Sequence, residues 1–290
     1  MNGTTASAPR GVIAVTGASG RIGGRVGELL AAHVPASRLR LIARDAARAP
    51  RIPGAAVAEA SYADPAACAA ALEGVATLLL VSAAESADRL AEHACVIDAA
   101  ARAGVRHIVY TSFLGAAADA EFTLARDHGA TEDMLRAAGP RWTFLRDSFY
   151  ADVLLDFAGP DRVIRGPAGT GRCAFVARAD VAAVAARVLQ DPAPWTGRAL
   201  DLTGPDALDL AEAAAIMSRV RGQDFAFVDE TLAQARASRA PYGAPEWQVE
   251  AWISTYTAIA SGALDVVSGH VQEVLGRPPI PLAEVMAAPL

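Results

Sequence analysis

The stretch that decides the fold is VIAVTGASGRIG, which runs from Val12 to Gly23. Its apolar start predicts a buried strand, and helical periodicity follows the glycines. Gly17 permits a tight turn, Gly20 lets the backbone approach a ligand, and Gly23 lets helix and strand pack closely. Because the first N–H groups of a helix lack backbone partners, the loop predicts a pyrophosphate site rather than an ordinary strand–helix turn. The expected contacts are Gly17, Ala18, Ser19, Gly20, Arg21 and Ile22.

Outward from this loop, short apolar runs alternate with longer alanine-rich runs. The predicted strands are Val12–Val15, Leu39–Ala43, Ala55–Ala58, Thr77–Val81, Arg106–Tyr110 and Trp142–Leu145. The predicted helices are Arg21–His33, Pro65–Leu72, Ser86–Ala103 and Asp127–Ala138. Strands that are apolar throughout and separated by helices are typical of a parallel sheet covered on both faces. The fold class is therefore α/β, with a Rossmann-type, doubly wound parallel sheet.

This regular alternation fades in the second half of the chain. Two further strands are predicted there, over Arg172–Ala177 and Arg198–Leu202, around a helix that begins at Asp180. Gly159-Pro160 and residues 166–171 are loop signals, and the chain from Pro205 onward is predicted to be mostly helical. We therefore expect a dinucleotide-binding domain and a smaller, mostly helical C-terminal substrate lobe. The expected bounds are residues 1–150 for the domain, with 172–202 adding to its sheet, and residues 151–171 and 203–290 for the lobe.

The end of the second predicted strand distinguishes the two nicotinamide cofactors. An acidic residue there would hold the ribose 2′-hydroxyl of NAD, whereas an arginine pairs with the 2′-phosphate of NADP. Arg44 stands at this place, and Arg21 is a second candidate partner of the phosphate. The alternatives are that Asp45 serves the ribose or that Arg44 is an ordinary surface arginine. The pattern favours NADPH.

Composition bears on compartment and partners. The net charge of −6 disfavours a nucleic-acid partner, which would need a basic surface. The three cysteines and five histidines show no metal-ligand spacing, so we expect no metal site. The segment Met1 to Arg10 lacks the apolar core of a signal peptide, and no apolar run is long enough to span a membrane. We therefore expect a cytoplasmic protein with no membrane partner.

Several short motifs occur in the order that one known family shows. They are Thr16–Gly23, Val34–Ser37, Ile42–Arg44, Gly104–His107, Tyr110–Ser112, His128–Glu132, Thr143–Arg146, Phe149–Tyr150, Leu275–Pro279 and Leu282–Glu284. Together they resemble the NmrA-like atypical short-chain dehydrogenase/reductases, especially the subgroup of type 2 quinone oxidoreductases and triphenylmethane reductases. Each motif is short, and their shared order makes the resemblance specific over most of the chain.

The resemblance implies further cofactor contacts after the fourth, fifth and sixth strands. They are Ser82, Ala83, Thr111, Ser112 and Asp147. The chain also departs from its relatives in three places. Ser61 stands where the third strand usually ends in aspartate, Asp147 where asparagine is common, and Asp133 where quinone reductases have lysine. These departures concern substrate and mechanism more than fold.

The candidate catalytic residues are limited by the absence of lysine. Classical short-chain dehydrogenases activate a tyrosine with a lysine, and here all 26 basic residues are arginine. His128 is the best acid candidate, because imidazole titrates near neutral pH; otherwise it caps or orients the helix that it is expected to begin. Tyr150 is a second donor, with aromatic packing as its alternative, and Asp147 either acts on substrate or caps a helix. The expected walls of an apolar substrate pocket are Phe113, Phe149 and Tyr150.

These residues support one leading function and two alternatives. The leading interpretation is an NADPH-dependent oxidoreductase that transfers hydride to a small quinone-like, aromatic or conjugated substrate, with secondary metabolism as one setting. The first alternative is an NmrA-like regulatory protein that senses NADP(H). The second is a non-redox isomerase, dehydratase or cyclase on the same fold. We expect a monomer or a homodimer.

Overall fold

The computed structural model describes residues 11–288. Its strands are β1 (Val12–Val15), β2 (Leu39–Ala43), β3 (Ala56–Glu59), β4 (Val75–Leu80), β5 (His107–Phe113), β6 (Arg141–Asp147), β7 (Val163–Gly166), β8 (Arg198–Leu202) and β9 (Ala226–Asp229). Seven of them form a parallel sheet in the order β3-β2-β1-β4-β5-β6-β8. The prediction of a Rossmann-type α/β fold is confirmed.

The sequence of the central strands explains their place in the sheet. Every residue of β4 and β5 is buried, as expected for strands with helices on both faces. In β1, Ile13 pairs with Leu39 of β2 on one side and with Thr77 of β4 on the other. The strand before the glycine loop therefore lies inside the sheet, which fixes the start of the loop.

Eleven α-helices lie in the described residues. They are α1 (Arg21–Ala31), α2 (Pro65–Leu72), α3 (Arg89–Arg102), α4 (Thr123–Ala137), α5 (Leu154–Ala158), α6 (Arg178–Gln190), α7 (Leu210–Arg221), α8 (Leu232–Arg239), α9 (Glu246–Ala260), α10 (His270–Leu275) and α11 (Leu282–Ala287). Local sequence sets several of their ends. Asp64 accepts the Ala66 and Ala67 N–H groups at the start of α2, and α7 begins with a capping box of Asp209 and Glu212.

The chain packs as two compact units. Within residues 11–288, the first comprises residues 11–111, Thr131–Leu145 and Ala182–Leu200, and the second comprises Ser112–Ala130, Arg146–Val181 and residues 201–288. The core of the first unit centres on the buried side chains of β4 and on Tyr110 and Phe144. The core of the second gathers Phe113, Phe149 and residues of α7, α9 and α11. The sequence-based domain boundary at residue 150 stays a prediction.

The second unit differs from its expected local structure in two places. Residues 172–177 are not a strand: the Cys173 N–H donates to Leu208, and the Val176 N–H donates to Phe149. Because successive residues bond to different segments, no ladder forms. The predicted helical region also contains β9, which pairs in parallel with β7.

No helix within residues 11–288 is long and apolar enough to cross a bilayer. The expectation drawn from Met1 to Arg10, that this segment is not a signal peptide, lies outside the described residues.

Candidate functional site

The glycine loop leaves an open space at Gly20. Gly17 has a φ of 60°, in the left-handed region that favours glycine. A Cβ on Gly23 would collide with the carbonyl oxygens of Gly17 and Thr16, so this position admits no side chain. A Cβ on Gly20, in contrast, would have only the Gly17 oxygen within 4 Å, at 3.2 Å. Gly17 thus serves the turn of the loop and Gly23 serves helix packing, whereas Gly20 leaves room for a ligand.

The start of α1 is suited to an anion. Gly20 is its N-cap and provides no side-chain hydrogen bond, and the first turn contains no acidic residue. The Ala18 N–H donates to the Ile42 oxygen at 3.1 Å, which ties the loop to β2. Uncapped N–H groups at the positive end of a helix dipole favour a phosphate. The geometry therefore fits the pyrophosphate of a dinucleotide.

Thr16 and Tyr62 hold the glycine loop against the strand ends. The Thr16 hydroxyl donates to the Leu79 oxygen at 3.0 Å and accepts the Val81 N–H at 3.0 Å. The Tyr62 phenol hydrogen-bonds to Thr16 and lies 2.7 Å from the Val81 oxygen. Burial raises the pKa of Tyr62, which keeps the phenol protonated as a donor. Tyr62 follows Ser61 and was not predicted as a site residue.

The charged residues after β2, Arg44 and Asp45, differ in their local partners. The Asp45 carboxylate accepts the Ala47 N–H at 3.0 Å and caps a short 3₁₀ helix, so it already has a local role. Arg44 is exposed and forms no hydrogen bond or ion pair with another residue in 11–288. Arg21 is exposed as well. Arg44 is therefore available to a ligand phosphate, and Asp45 is already engaged as a cap.

The segment after β4 is fixed by a buried histidine that the sequence analysis passed over. The Ser82 N–H donates to the Thr111 hydroxyl at 2.8 Å, and the Ala83 N–H donates to Nε2 of His93 at 2.8 Å. Nδ1 of His93 lies 2.8 Å from the Thr131 hydroxyl. Because burial lowers the pKa of His93 to about 3, the ring is neutral, and Nδ1 carries the proton donated to Thr131. His93 thus holds Ala83, an expected cofactor contact.

In the second unit, Asp147 and Tyr150 form a hydrogen-bonded pair. Asp147 is the last residue of β6, and its side chain is 1% exposed. The Tyr150 phenol donates to Oδ2 of Asp147 at 2.7 Å, while the Arg178 guanidinium lies 5.2 Å from the centre of the tyrosine ring. Desolvation raises the pKa of Asp147 and also that of Tyr150. The interpretation of Asp147 as a helix cap was wrong, because its carboxyl bonds to a phenol and not to a helix N–H.

The other expected substrate residues lie in an aromatic cluster of the second unit. The ring centres of Phe113 and Phe149 are 4.9 Å apart, and Phe122, which was not predicted, lies 4.8 Å from Phe113. The ring of His128 is 6.2 Å from that of Phe113. His128 does not begin a helix as expected, since α4 starts at Thr123. Roles for these residues in a pocket or as an acid stay predictions.

No group of three or more potential ligand side chains in the described part of the chain is placed to hold a metal ion. The features described above are the glycine loop and the exposed Arg44 in the first unit, and the Asp147–Tyr150 pair in the second.

Comparison with known proteins identifies the family. The profile of the family described as NAD(P)H-binding matches residues 17–192, which is more than half of the chain. The chain belongs to this NAD(P)H-binding family. The match begins at Gly17, inside the loop that the sequence analysis singled out. The resemblance inferred from the short motifs is confirmed.

Individual relatives in the NAD(P)H-binding family are similar over nearly their whole length. Quinone oxidoreductase 2 of Escherichia coli strain K12 is 36% identical over 278 residues, covering 94% of this chain and 96% of the relative. A crystal structure of the NADPH-dependent quinone oxidoreductase from E. coli, in complex with NADPH, has a TM-score of 0.88 at 35% identity and covers 95% and 99% of the two chains.

Two further solved structures are similar to this chain. The triphenylmethane reductase of Citrobacter sp., crystallised with NADP(H), has a TM-score of 0.85 at 30% identity and covers 95% of this chain and 100% of its own. The negative transcriptional regulator NmrA, crystallised with NADP, has a TM-score of 0.71 at 17% identity and covers 96% and 94%. The last comparison shows a shared fold only.

Proposed function

We propose that this chain is an NADPH-dependent oxidoreductase that reduces small quinone-like, aromatic or conjugated substrates. The observation that carries the proposal is the open space at Gly20, which lies at the uncapped start of α1. The similarity to quinone oxidoreductase 2 over 96% of that protein supports the choice of reaction. When bound, NADPH supplies the hydride for the reduction.

The residues that would hold the cofactor fit its chemistry. The loop from Gly17 to Ile22 offers backbone N–H groups to the pyrophosphate, and Arg44, with Arg21, offers charge to the 2′-phosphate. Further contacts proposed from the sequence are Ser82, Ala83, Thr111, Ser112 and Asp147. Two of them are well ordered by their neighbours, since Thr111 and His93 fix the backbone of Ser82 and Ala83.

The absence of lysine supports the proposed substrate class. The chain has no lysine, and Tyr110 lies within β5 rather than on a helix. Quinones and cationic dyes stabilise the added electrons themselves, so positioning contributes more to their reduction than a strongly activated acid does. We propose Phe113, Phe149 and Tyr150 as substrate contacts. His128 and Tyr150 are the proposed donors for any proton that the product needs.

Turnover of the cofactor tests this proposal directly. We expect the protein to oxidise NADPH in the presence of a quinone panel or a triphenylmethane dye, and we expect deuterium from stereospecifically labelled NADPH to appear in the product. The measurement is NADPH absorbance together with mass spectrometry of the product. Tight NADPH binding without transfer to any of these acceptors would contradict the oxidoreductase and favour a sensing protein.

Replacing Arg44 by alanine tests the preference for NADPH. A charge-assisted bond to phosphate contributes about 1.5–3 kcal/mol, so the Arg44→Ala variant is expected to bind NADPH roughly ten- to hundredfold more weakly. Its affinity for NADH, which lacks that phosphate, is expected to change little. Fluorescence titration with both cofactors measures the effect.

The Arg102→Ala variant is the control for the loss of one positive charge, because Arg102 is exposed on α3 and pairs only loosely with Asp98, at 3.7 Å. Equal losses of NADPH affinity in both variants would show that general charge, and not a bond from Arg44, causes the preference.

A further inference from the structure

The Asp147 carboxyl combines a bonded and an unbonded oxygen in a buried place. Oδ2 accepts the Tyr150 hydroxyl at 2.7 Å. Oδ1 is buried and has no hydrogen-bond partner within residues 11–288. No ion pair in this part of the chain includes Asp147. A carboxyl at the end of an interior strand therefore has one oxygen without a partner in the described part of the chain.

The charges near this carboxyl do not compensate a negative Asp147. The Arg178 guanidinium lies 5.2 Å from the centre of the Tyr150 ring and forms no ion pair with Asp147 in residues 11–288, and burial raises the pKa of the Asp147 carboxyl. An isolated carboxylate is costly to bury, and protonation removes that cost. Because the phenol has a single proton and donates it to Oδ2, the carboxylic acid proton belongs on Oδ1. A buried O–H group then requires an acceptor.

We propose that Asp147 is an uncharged carboxylic acid in the folded protein and that its Oδ1–H group donates a hydrogen bond to a carbonyl oxygen of a bound ligand. This inference rests on the proposed function, because that function supplies two carbonyl groups. One is the carboxamide of the nicotinamide, and the other is the carbonyl of a quinone. Both are neutral acceptors, which an uncharged donor suits and a carboxylate would repel.

The quinone case includes a proton transfer that balances. The hydride from NADPH brings two electrons and one hydrogen to the quinone and leaves NADP⁺. The O–H bond of Asp147 breaks, and its proton becomes the second hydrogen of the hydroquinone. The resulting carboxylate keeps the hydrogen bond from Tyr150 and takes a proton back from water. In the carboxamide case the proton stays on Asp147, which then only orients the ring.

Infrared difference spectroscopy tests the protonation state without requiring turnover. The spectrum of the wild-type protein minus that of Asp147→Asn at neutral pH is expected to show the C=O band of a protonated carboxylic acid, which shifts in D₂O. An Asp161→Asn variant is the control, since Asp161 is an exposed carboxylate paired with Arg165. A difference spectrum that contains only carboxylate bands for Asp147 would overturn the proposal.

Adding ligands one at a time identifies the acceptor. A shift of the acid band on addition of NADP⁺ alone identifies the carboxamide, and a shift only when a quinone is then added identifies the substrate carbonyl. Both outcomes support a donor at Oδ1. An acid band that shifts with neither ligand would overturn the proposal. This readout is separate from the proposed function, because failure of NADPH oxidation leaves the band and its response to NADP⁺ measurable.

Variants distinguish a quinone acceptor from a carboxamide acceptor by their effects on the rate of hydride transfer and on NADPH affinity. If the quinone is the acceptor, Asp147→Asn is expected to slow single-turnover hydride transfer by about 10²–10⁴-fold with NADPH affinity retained. If the carboxamide is the acceptor, the asparagine amide still donates, and Asp147→Leu is expected to weaken NADPH binding by about tenfold instead. Circular dichroism checks that each variant folds. Folded Asp147→Leu protein with wild-type binding and transfer would overturn the proposal.

Discussion

Replacement of Gly20 by valine is expected to abolish NADPH binding while the protein stays folded. The Cβ of the new side chain would have one protein neighbour within 4 Å, the Gly17 oxygen at 3.2 Å, which has to shift slightly. The rest of the side chain is expected to occupy the space before the first N–H groups of α1. Hydrogen bonds to a charged phosphate contribute about 1.5–3 kcal/mol each, so losing two of them lowers affinity at least about a hundredfold. Calorimetric titration measures the affinity, and circular dichroism measures the fold.

The neighbouring Gly23→Ala variant is the matched contrast. Its Cβ would collide with backbone oxygens of Gly17 and Thr16, so the loop and α1 have to separate. We expect this variant to lose stability as well as binding, as judged by chemical denaturation. Wild-type NADPH affinity in Gly20→Val would mean that the loop does not hold a dinucleotide.

Replacement of His93 by leucine is expected to reduce stability strongly near neutral pH. The Ala83 N–H and the Thr131 hydroxyl would both lose the imidazole, and a buried polar group without a partner costs about 1–3 kcal/mol. The free energy of unfolding is therefore expected to fall by roughly 2–4 kcal/mol at pH 7.5, measured by urea denaturation.

The same variant has a distinct pH dependence. Burial lowers the pKa of His93 from 6.5 to about 3 in the folded protein, so below pH 6.5 the unfolded chain binds a proton that the folded chain does not. Stability of the wild type then falls with decreasing pH by about 1.4 kcal/mol per unit from this group, until pH approaches 3. His93→Leu lacks this contribution, so the two stability curves are expected to converge as the pH falls. Stability curves that stay parallel between pH 6.5 and pH 3 would contradict a neutral, buried His93. The His33→Gln variant is the control for the loss of a histidine, because His33 is exposed.

Local sequence patterns predicted most of the nucleotide-binding half of the fold. β1, β2 and α2 have the predicted bounds, because an apolar run or an Asp-Pro start defines each of them within a few residues. α4 begins four residues before its predicted start at Asp127. The Thr123 N–H there donates to the Ser254 hydroxyl, which is 131 residues away in sequence. A cap supplied from such a distance leaves no local signal.

The strand pair of the second unit escaped prediction for a related reason. β7 and β9 are four residues long, and each is stabilised by the other, with Ile164 opposite Phe227. Neither segment shows a convincing alternation by itself. The opposite error occurred at residues 172–177, where a mostly buried run makes isolated bridges at Cys173 and Val176 and no ladder. An apolar run predicts that a segment is buried, but whether the segment forms a strand depends on which other segment lies beside it.

The same distinction between local and long-range interactions explains which residues of the candidate site could be predicted from sequence. The glycine loop and Arg44 could be proposed from sequence, because each stands out among residues that are neighbours in the chain. His93 was not found, because its role joins the segment after β4, α3 and α4 through two hydrogen bonds. Asp147 was predicted as a cofactor contact, yet its unbonded oxygen depends on burial and on the direction of the Tyr150 phenol, which only the folded chain defines.

The order of the strands has a consequence for protein synthesis. β6 ends at Asp147, whereas its neighbour in the sheet, β8, begins at Arg198. At roughly 5–20 residues per second, the ribosome needs about 3 to 10 s to add the intervening segment. Until then one side of β6 is an open edge, which can template pairing with another nascent chain. The interval before β8 emerges is therefore a stage at which a chaperone that shields this edge would protect the growing chain.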